Sequence, residues 1–402
     1  PLDGEGVLRW IEAKQVMRED KRLHKWVPIK LWDKQKEFIR EAFRRENNEY
    51  KYRIAVACWP RGESKCLRQG TKVLMYDGTI KNIEDIRVSE KLMGDDSTPR
   101  TVLSLGHGRE EMFKVVPYRG EPFVCNKSHI LSLKRGRIRE IHHGKPCPPE
   151  YAHLGDIINI PLTEFINKSK TFKNKWFLYR VPVEWPEQSL ELDPYILGIW
   201  LGDGHSYAPA ITTPDREVVE SIYAFAETLG LEVRVQEQKD NLSKVYHINN
   251  GKNGHRGNLN PFTTLLKAYG VWDNKHIPHI YKVNSRENRL QLLAGLMDSD
   301  GTINRTGYVI TQKREQLAKD IAFIARSLGF YASIKKFKAR IKETGFEGYY
   351  HKIAISGDCS VIPVRIKRKK VPPRKHPKDI LLTGIKTITS LGVGDYYGVT
   401  VG

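Results

Sequence analysis

Cys66 follows Lys65 in the stretch WPRGESKCLRQGTKVLMYDGT. A thiol in that place can attack the carbonyl of Lys65 and convert the amide into a thioester. The departing nitrogen needs a proton, which His129 in GEPFVCNKSHIL can supply, with Asn126 three residues earlier polarising or orienting the peptide. Taken alone, His129 reads more readily as a satisfied core residue of a β domain, and Cys125 as a small buried strand residue; Cys66 at the start of that domain shifts the reading. A second set of groups lies downstream. Asp203 sits in YILGIWLGDGH (195–205) and Asp300 in LLAGLMDSDGT (292–302). Two carboxylates brought side by side repel unless a cation neutralises them. Hard oxygen donors of this kind suit Mg²⁺, which can stabilise attacking and leaving oxygens in phosphodiester hydrolysis. Lys275 in NKHIPHI (274–280) follows Asp203 by 72 positions, and Lys369 in RKKVPPR (368–374) follows Asp300 by 69.

These spacings belong to a duplication that must position the groups. AITTPDREVVESIYAFAETLGLEV aligns with YVITQKREQLAKDIAFIARSLGFYA between the Asp and Lys segments of each copy. A repeated unit of this size implies two copies packed about a pseudo-twofold axis. Each copy opens with an apolar helix carrying a glycine mid-way (Gly198, Gly295), which lets two helices approach closely. Packed side by side, they deliver Asp203 and Asp300 to one end of the interface. A single Asp-Gly reads more readily as a helix-ending turn; two copies with the same sequel favour a site. The β runs after each helix could form half of a basic saddle for duplex DNA. The basic run around Lys369 also allows a plain phosphate contact for that lysine.

The surrounding chain changes texture three times. LWDKQKEFIREAFRRENNE (31–49) predicts a helix with Leu31, Ile39 and Phe43 on one face and Phe38 at its flank. A strand-like YRIAVACW then runs into PRGESK, the front half of a phosphate-binding loop, with Ser64 where the usual Gly precedes the lysine. The Ser or Thr that should follow Lys65 is replaced by Cys66. From residue 66 to about 186, short β-like runs alternate with turn signals such as Asp77-Gly78. Residues 187 to about 376 read as mixed α/β, and 377–402 return to β-like runs. The economical reading is a β domain interrupted by an inserted α/β domain, with RIKRKKVPPRKHPK marking the return.

Bulk properties agree with a nucleic-acid partner. The 402 residues are too many for one ordinary core. The net charge of +20 favours a polyanion, without a long basic amphipathic helix to lie on lipid. Five scattered cysteines (Cys58, Cys66, Cys125, Cys147, Cys359) suggest neither a disulfide scaffold nor a zinc site, and point to a reducing compartment. No signal peptide or membrane span is visible. Pro1 and Gly402 both read as cuts rather than natural ends.

Three resemblances follow. Residues 1–65 resemble the start of a phage terminase large subunit, which implies Arg61 and Lys65 as phosphate contacts and ATP as a ligand only of the reconstituted host protein. Residues 187–376 resemble the two-motif LAGLIDADG (dodecapeptide) homing endonucleases, with repeats over about 190–285 and 287–376. That resemblance implies Asp203 and Asp300 as metal ligands for Mg²⁺, and Lys275 and Lys369 as groups supporting the attacking water or the phosphate charge. Gln312, in TQK, either orients water or reads DNA. The first motif departs from the family pattern with Leu201 where the second has Asp298. Residues 66–186 and 377–402 resemble an intein of the Hint fold, with Asn126 in place of the usual Thr of the Thr-x-x-His block.

Together these imply a multidomain chain: an all-β, horseshoe-like Hint splicing domain, an inserted α/β LAGLIDADG endonuclease of duplicated αββαββα-type units, and a short α/β N-terminal flank. They further imply splicing started by an N–S acyl shift at Cys66 and double-strand cuts leaving short 3′ overhangs in the intein-less host allele. The protein is expected to be a monomer in the cytoplasm of a phage-bearing or prokaryotic cell. The chain stops before the terminal His-Asn block, so full splicing is not expected of it. The competing classes are an inactive DNA-binding remnant, a packaging ATPase with a non-splicing insertion, and a hedgehog-like self-cleaving protein.

Overall fold

The computed structural model describes residues 66–136, 155–238, 242–251, 259–340, 347–373 and 379–402, with short pieces at 17–20, 25–28, 39–40, 45–46, 49–50, 141–142 and 145–146. The chain divides into two units, Pro1–Arg61 and Gly62–Gly402. In the first, Met17–Asp20 pairs antiparallel with Lys25–Pro28, and Arg45–Glu46 with Glu49–Tyr50. The helix expected over 31–49 therefore does not reach its C-terminal end, where the Asn47-Asn48 sequence favours turns over helix. Arg61, Lys65 and the rest of the phosphate-loop sequence lie outside the described residues.

In the second unit, strands from both ends of the chain share two sheets. A five-stranded sheet runs in the order Phe123–Asn126, Cys66–Arg68, Ile385–Val401, Pro99–Pro117, Lys91–Met93. The long strands Pro99–Pro117 and Ile385–Val401 pair along most of their length. A four-stranded sheet runs Ile157–Pro161, Ile130–Arg135, Trp176–Tyr179, Leu382–Thr383. The chain thus leaves this β region after Tyr179 and re-enters it at Leu382. Ile385–Val401 lies between Cys66–Arg68 and Pro99–Pro117, which are also linked on the other side through Phe123–Asn126, so the returning segment completes the sheet. Val115, Cys125, Leu131, Leu133, Ile160 and Phe165 fill its core, and Met75, Ile83, Ile86, Leu92 and Val102 form a second, smaller one.

Between exit and return stand two related halves. The helices α1 (Pro194–Asp203) and α3 (Arg286–Ser299) are buried on every side over Tyr195–Leu201 and Leu292–Asp298, which explains sequences that are apolar all round rather than striped. The helices α2 (Arg216–Thr228) and α4 (Glu315–Ser327) are amphipathic instead. Val218, Ile222, Phe225 and Ala226 of α2, and Leu317, Ile321, Ile324 and Ala325 of α4, turn inward at helical spacing. The first half has a three-stranded antiparallel sheet, Ala210–Thr213, Lys244–Asn249, Glu232–Glu237. The second has four strands, Thr302–Asn304, Gly307–Gln312, Glu347–Ser356, Tyr331–Arg340.

The halves differ in detail from two equal αββαββα units. In the first, the strand after the motif helix is reduced to the single bridge Gly204↔Ile211. Pro209, with no N–H to offer a ladder, stands in the segment that would extend it. The first half ends in the helix Pro261–Ala268, whereas the second ends in the short 3₁₀ turns Cys359–Val361 and Lys367–Lys369. One core serves both halves, from Leu192 to Val371.

Candidate functional site

Close approach of α1 and α3 makes the first site. A β-carbon on Gly198 would collide with the Leu292 carbonyl oxygen, and one on Gly295 with that of Tyr195. Each such β-carbon would also lie 3.0 Å from the Cα of the other glycine, so the helices meet backbone to backbone. The register carries through to their C-terminal ends, where an added carbon on Gly202 would overlap Ser299 and lie 3.5 Å from Asp300 Cγ. Asp203 and Asp300 therefore converge.

Their electrostatics record the convergence. Burial, and secondly the neighbouring Asp300, push the Asp203 carboxyl up to about 6. Burial also raises Asp300, against a hydrogen bond from Gln312 and the pull of Lys275 and Lys369. Gln312 Nε2 donates to Asp300 Oδ2 at 2.6 Å. The repeat alignment places Pro214 opposite Gln312, and proline offers no such donor. The two carboxylates are thus inequivalent, a difference the aligned sequences already held.

Two lysines close the helix ends. Lys275 Nζ donates to the Gly202 and Gly204 carbonyls at 3.1 and 2.6 Å and lies 5.1 Å from the centre of the Trp200 ring. Lys369 Nζ donates to the carbonyls of Met297, Asp298 and Ser299 at 3.0, 2.7 and 2.9 Å. Both occupy the same place relative to their own motif helix, where a cation meets the orphan carbonyls and the negative end of the helix dipole. Burial pushes Lys275 down to about 8 and lowers Lys369 as well. Both ammonium groups are thus less firmly protonated than a free lysine while still under the pull of the carboxylates.

Asp298, which has Leu201 as its counterpart, has a different task. Its carboxylate accepts from Tyr195 Oη at 2.9 Å and from the backbone N–H of Arg365 at 2.6 Å. It pins the segment that carries Lys369 and contributes nothing to the pair of converging carboxylates. Sequence reasoning could not reach this, since the partners of Asp298 lie on another helix and some 67 residues downstream.

No group of three or more His, Cys, Asp or Glu side chains able to hold a metal ion occurs among the described residues. Asp203 and Asp300 instead bring two carboxylates, both raised chiefly by burial, to one place, and that donor set fits a hard divalent cation.

The second site lies at the start of the β region. Cys66 is buried, pairs with Gly398 across one edge, and is followed by Leu67 opposite Cys125 across the other. The antiparallel register carries Asn126 alongside Cys66. Asn126 Nδ2 donates to Glu110 Oε2 at 2.6 Å, and Ser128 Oγ holds the other oxygen of Glu110. Asn126 Oδ1 is buried with no hydrogen-bond partner, a costly state for an acceptor unless a donor arrives. His129 N–H donates to the Asn126 carbonyl at 3.1 Å, closing the turn that holds both residues together. Cys125 is pushed up to about 12 by burial, which keeps it a thiol and inert. Glu110 and Ser128 were missed from the sequence, where neither stands in a recognisable spacing.

Comparison with known proteins identifies both regions. Residues 66–144 match the family model for a homing-endonuclease-associated Hint domain, and residues 184–269 and 276–361 match the homing endonuclease family. Replicative DNA helicase DnaB of Mycobacterium intracellulare is 34% identical over 160 residues, 39% of this chain and 22% of that protein. The catalytic polypeptide of the V-type proton ATPase of Candida tropicalis is 48% identical over 50 residues, 12% of this chain and 5% of that protein. The homothallic switching endonuclease of Saccharomyces cerevisiae is 31% identical over 188 residues, 42% of this chain and 32% of that protein. The chain therefore spans a third or less of each of these relatives. Among solved structures, I-DmoI in complex with DNA and Mn aligns at a TM-score of 0.29 with 14% identity, over 41% of this chain and 88% of that one. The gp41-1 intein aligns at 0.16 with 18% identity, over 24% and 79%. The match to the Hint model opens at Cys66, and the two-part match to the homing endonuclease model falls between Tyr179, where the chain leaves the β region, and Leu382, where it returns.

Proposed function

We propose that this chain is an intein-containing precursor whose Hint domain starts protein splicing at Cys66 and whose inserted endonuclease cuts duplex DNA at one site. The observation that carries the nuclease reading is the meeting of Asp203 and Asp300 at the closely packed ends of α1 and α3, with a lysine on each helix end. Asp203 and Asp300 would hold Mg²⁺. The bound cation supplies charge neutralisation at the attacking and leaving oxygens of the phosphodiester. Gln312 keeps Asp300 ionised and oriented. Lys275 and Lys369 place positive charge where the phosphate gains negative charge, and their lowered proton affinity suits them to exchange a proton with the attacking water. The outer faces of the two sheets carry exposed basic side chains, among them Arg234 and the cross-strand pair Lys335 and Lys352. These fit the phosphates of duplex DNA.

At the other site, the Cys66 thiol gives up its proton as Sγ attacks the Lys65 carbonyl carbon, the C–N bond breaks, and the freed amine of Cys66 takes a proton from His129, so that one proton is released for the one taken up. The unpartnered Asn126 Oδ1 is an acceptor waiting for the N–H of the scissile peptide. Residues 1–65 are read as the terminase-like flank, and splicing would join Lys65 to the Ser or Thr of its P-loop. The DNA target is then the uninterrupted P-loop codons of that host gene, and ATP belongs to the rejoined protein. A monomer suffices, because both halves of the nuclease lie in one chain. No helix of the described residues is long and apolar enough to cross a membrane.

The test takes the purified chain through incubation with a strong thiol at neutral pH, read by intact mass. Release of residues 1–65 from the parent and not from Cys66→Ala is the expected result. In parallel, a plasmid carrying the joined P-loop codons should be linearised by the parent with Mg²⁺ and left intact by Asp300→Asn. Release from Cys66→Ala, or cutting by Asp300→Asn, overturns the corresponding half of the reading.

A further inference from the structure

The β region and the nuclease meet along a seam that ends, on the nuclease side, in the segment bearing Lys275. The turn Tyr76–Gly78 forms the β-region side. The Tyr76 carbonyl accepts from Trp185 Nε1 at 3.0 Å, and the Asp77 carbonyl accepts from His279 Nε2 at 2.8 Å. Gly78 is buried, and a β-carbon there would overlap Val283 Cγ1. Val183, Trp185 and Val283 form a small core of their own, with Leu74 and Met93 packed on it from the β region. Nearby, Ser97 Oγ accepts from the Glu184 backbone N–H at 2.9 Å.

The segment 275–283 is stiff between its two ends. Asp320 accepts from the Ile277 N–H at 3.1 Å and from Lys282 Nζ at 3.0 Å. Tyr281 Oη donates to the Leu192 carbonyl at 2.6 Å, just ahead of α1. Lys275 at one end therefore reaches the Gly202 and Gly204 carbonyls beside Asp203, while His279 and Val283 at the other rest on the Asp77-Gly78 turn. A second path runs through Trp185, which stacks on the fully buried Arg289 of α3 at 5.0 Å. Arg289 in turn donates to the Val183 carbonyl at 2.7 Å and the Ser327 hydroxyl at 2.7 Å.

We propose that the Tyr76–Gly78 turn of the splicing domain is a positioning element for DNA cleavage, acting through His279 and Val283 on the placement of Lys275. This rests on the nuclease reading above and assigns part of the nuclease's geometry to a domain that carries the other activity. The turn touches neither the carboxylates nor the exposed basic strands, so its effect should fall on the chemical step and leave DNA affinity alone.

The structure supplies its own controls. Gly78 and Gly70 both have φ of +80°, but a β-carbon on Gly70 meets nothing within 4 Å. Gly70→Ala therefore reports backbone strain alone, and Gly78→Ala reports strain plus displacement of Val283. Truncating Val283 to Ala removes Cγ1 and leaves its Cβ at 3.4 Å from the new carbon, an ordinary contact. In single-turnover cleavage, Gly78→Ala is expected to slow the step by about 10- to 100-fold, the cost of a displacement near 1 Å. Its DNA affinity should match the parent. Gly78→Ala with Val283→Ala should recover most of the rate, and Gly70→Ala should resemble the parent. Amide exchange over residues 275–283 should rise in Gly78→Ala and not in Gly70→Ala.

Unchanged cleavage in Gly78→Ala, or a rate that Val283→Ala does not restore, overturns the proposal. Should Gly78→Ala fail to fold, His279→Ala at an exposed position takes its place, and parent-like cleavage by that variant likewise overturns it. If the parent leaves the chosen DNA uncut, the target reading has failed instead, and the exchange comparison then decides: equal protection of 275–283 in the two glycine variants refutes the coupling.

Discussion

At the scale of single residues the pair of converging carboxylates is held under electrostatic tension. Asp203 titrates near 6 in the folded chain against 3.8 for the free group, so the folded state binds that proton more tightly. The linkage sign follows: between those two values the folded chain carries more protons than the unfolded one, and stability falls as pH rises through the window. Asp203→Asn should therefore melt at the same temperature as the parent near pH 3.5 but about 2–4 °C higher at pH 7.5 in the absence of divalent cations. Excess Mg²⁺ should raise the parent's melting point and leave that of the variant unmoved. A second prediction concerns Lys369, whose ammonium is shared by three carbonyls. Lys369→Met strips all three of their buried donor, and should cost about 1–3 kcal/mol by denaturant melting while abolishing cleavage. If Lys369 were only a phosphate contact in a basic run, the same change would weaken DNA binding and leave stability untouched. Asp203, Asp300, Lys275 and Lys369 were legible in the sequence because duplication offered each a counterpart to be checked against. Asp298 was not, because its carboxylate is spent on backbone N–H groups that only the folded chain brings near.

At the scale of elements, the glycines of α1 and α3 decide whether the site exists at all. Any β-carbon at Gly198 or Gly295 meets backbone of the facing helix, which cannot move aside as a side chain could. Gly295→Ala should therefore destabilise the chain by about 1–3 kcal/mol, the usual range for an overpacked core, although alanine is the better helix former. Cleavage should fall further than stability, since the same displacement parts Asp203 from Asp300. A thermal melt and a cleavage assay on one preparation check both. The glycine spacing was visible in the sequence, and so was the repeat that carries α2 and α4. What stayed hidden was local asymmetry. A strand reduced to one bridge beside Pro209, or a helix with 3₁₀ turns at Cys359–Val361 in its place, depends on tertiary partners rather than on its own pattern. The Tyr76–Gly78 seam was equally hidden: Asp-Gly announces a turn, but nothing local announces that Val283 fills the space over it.

At the scale of the whole molecule, a chain with a net charge of +20 must hold its binding strength partly in charge, and the sheets suggest where. In the second half, Thr311, Lys352 and Lys335 stand in one cross-strand row and are exposed, with Lys338 and Arg340 farther along the same strand. In the first half, Arg234 stands in the row of His247, and His247 Nε2 meets Gln236 Oε1 at 3.0 Å. One sheet is therefore rich in ammonium groups, while the other offers mixed donors and acceptors of the kind that discriminate base edges. Phosphate contacts release counterions and contribute about 0.9 each to the slope of log affinity against log salt. Replacing Lys335 and Lys352 by alanine should reduce that slope by about 1.8 for specific and non-specific duplexes alike. Replacing Gln236 should leave the slope unchanged and narrow the gap between the two duplexes. Equal slopes for the lysine variant and the parent would place the DNA elsewhere on the chain, and the two converging carboxylates would then face no phosphate. Asp203 stands next to the Gly204↔Ile211 bridge on the first sheet and Asp300 accepts from Gln312 on the second, so a duplex that contacts both sheets is expected to reach them, and the salt slope tests the placement of the chemistry as well as the source of affinity.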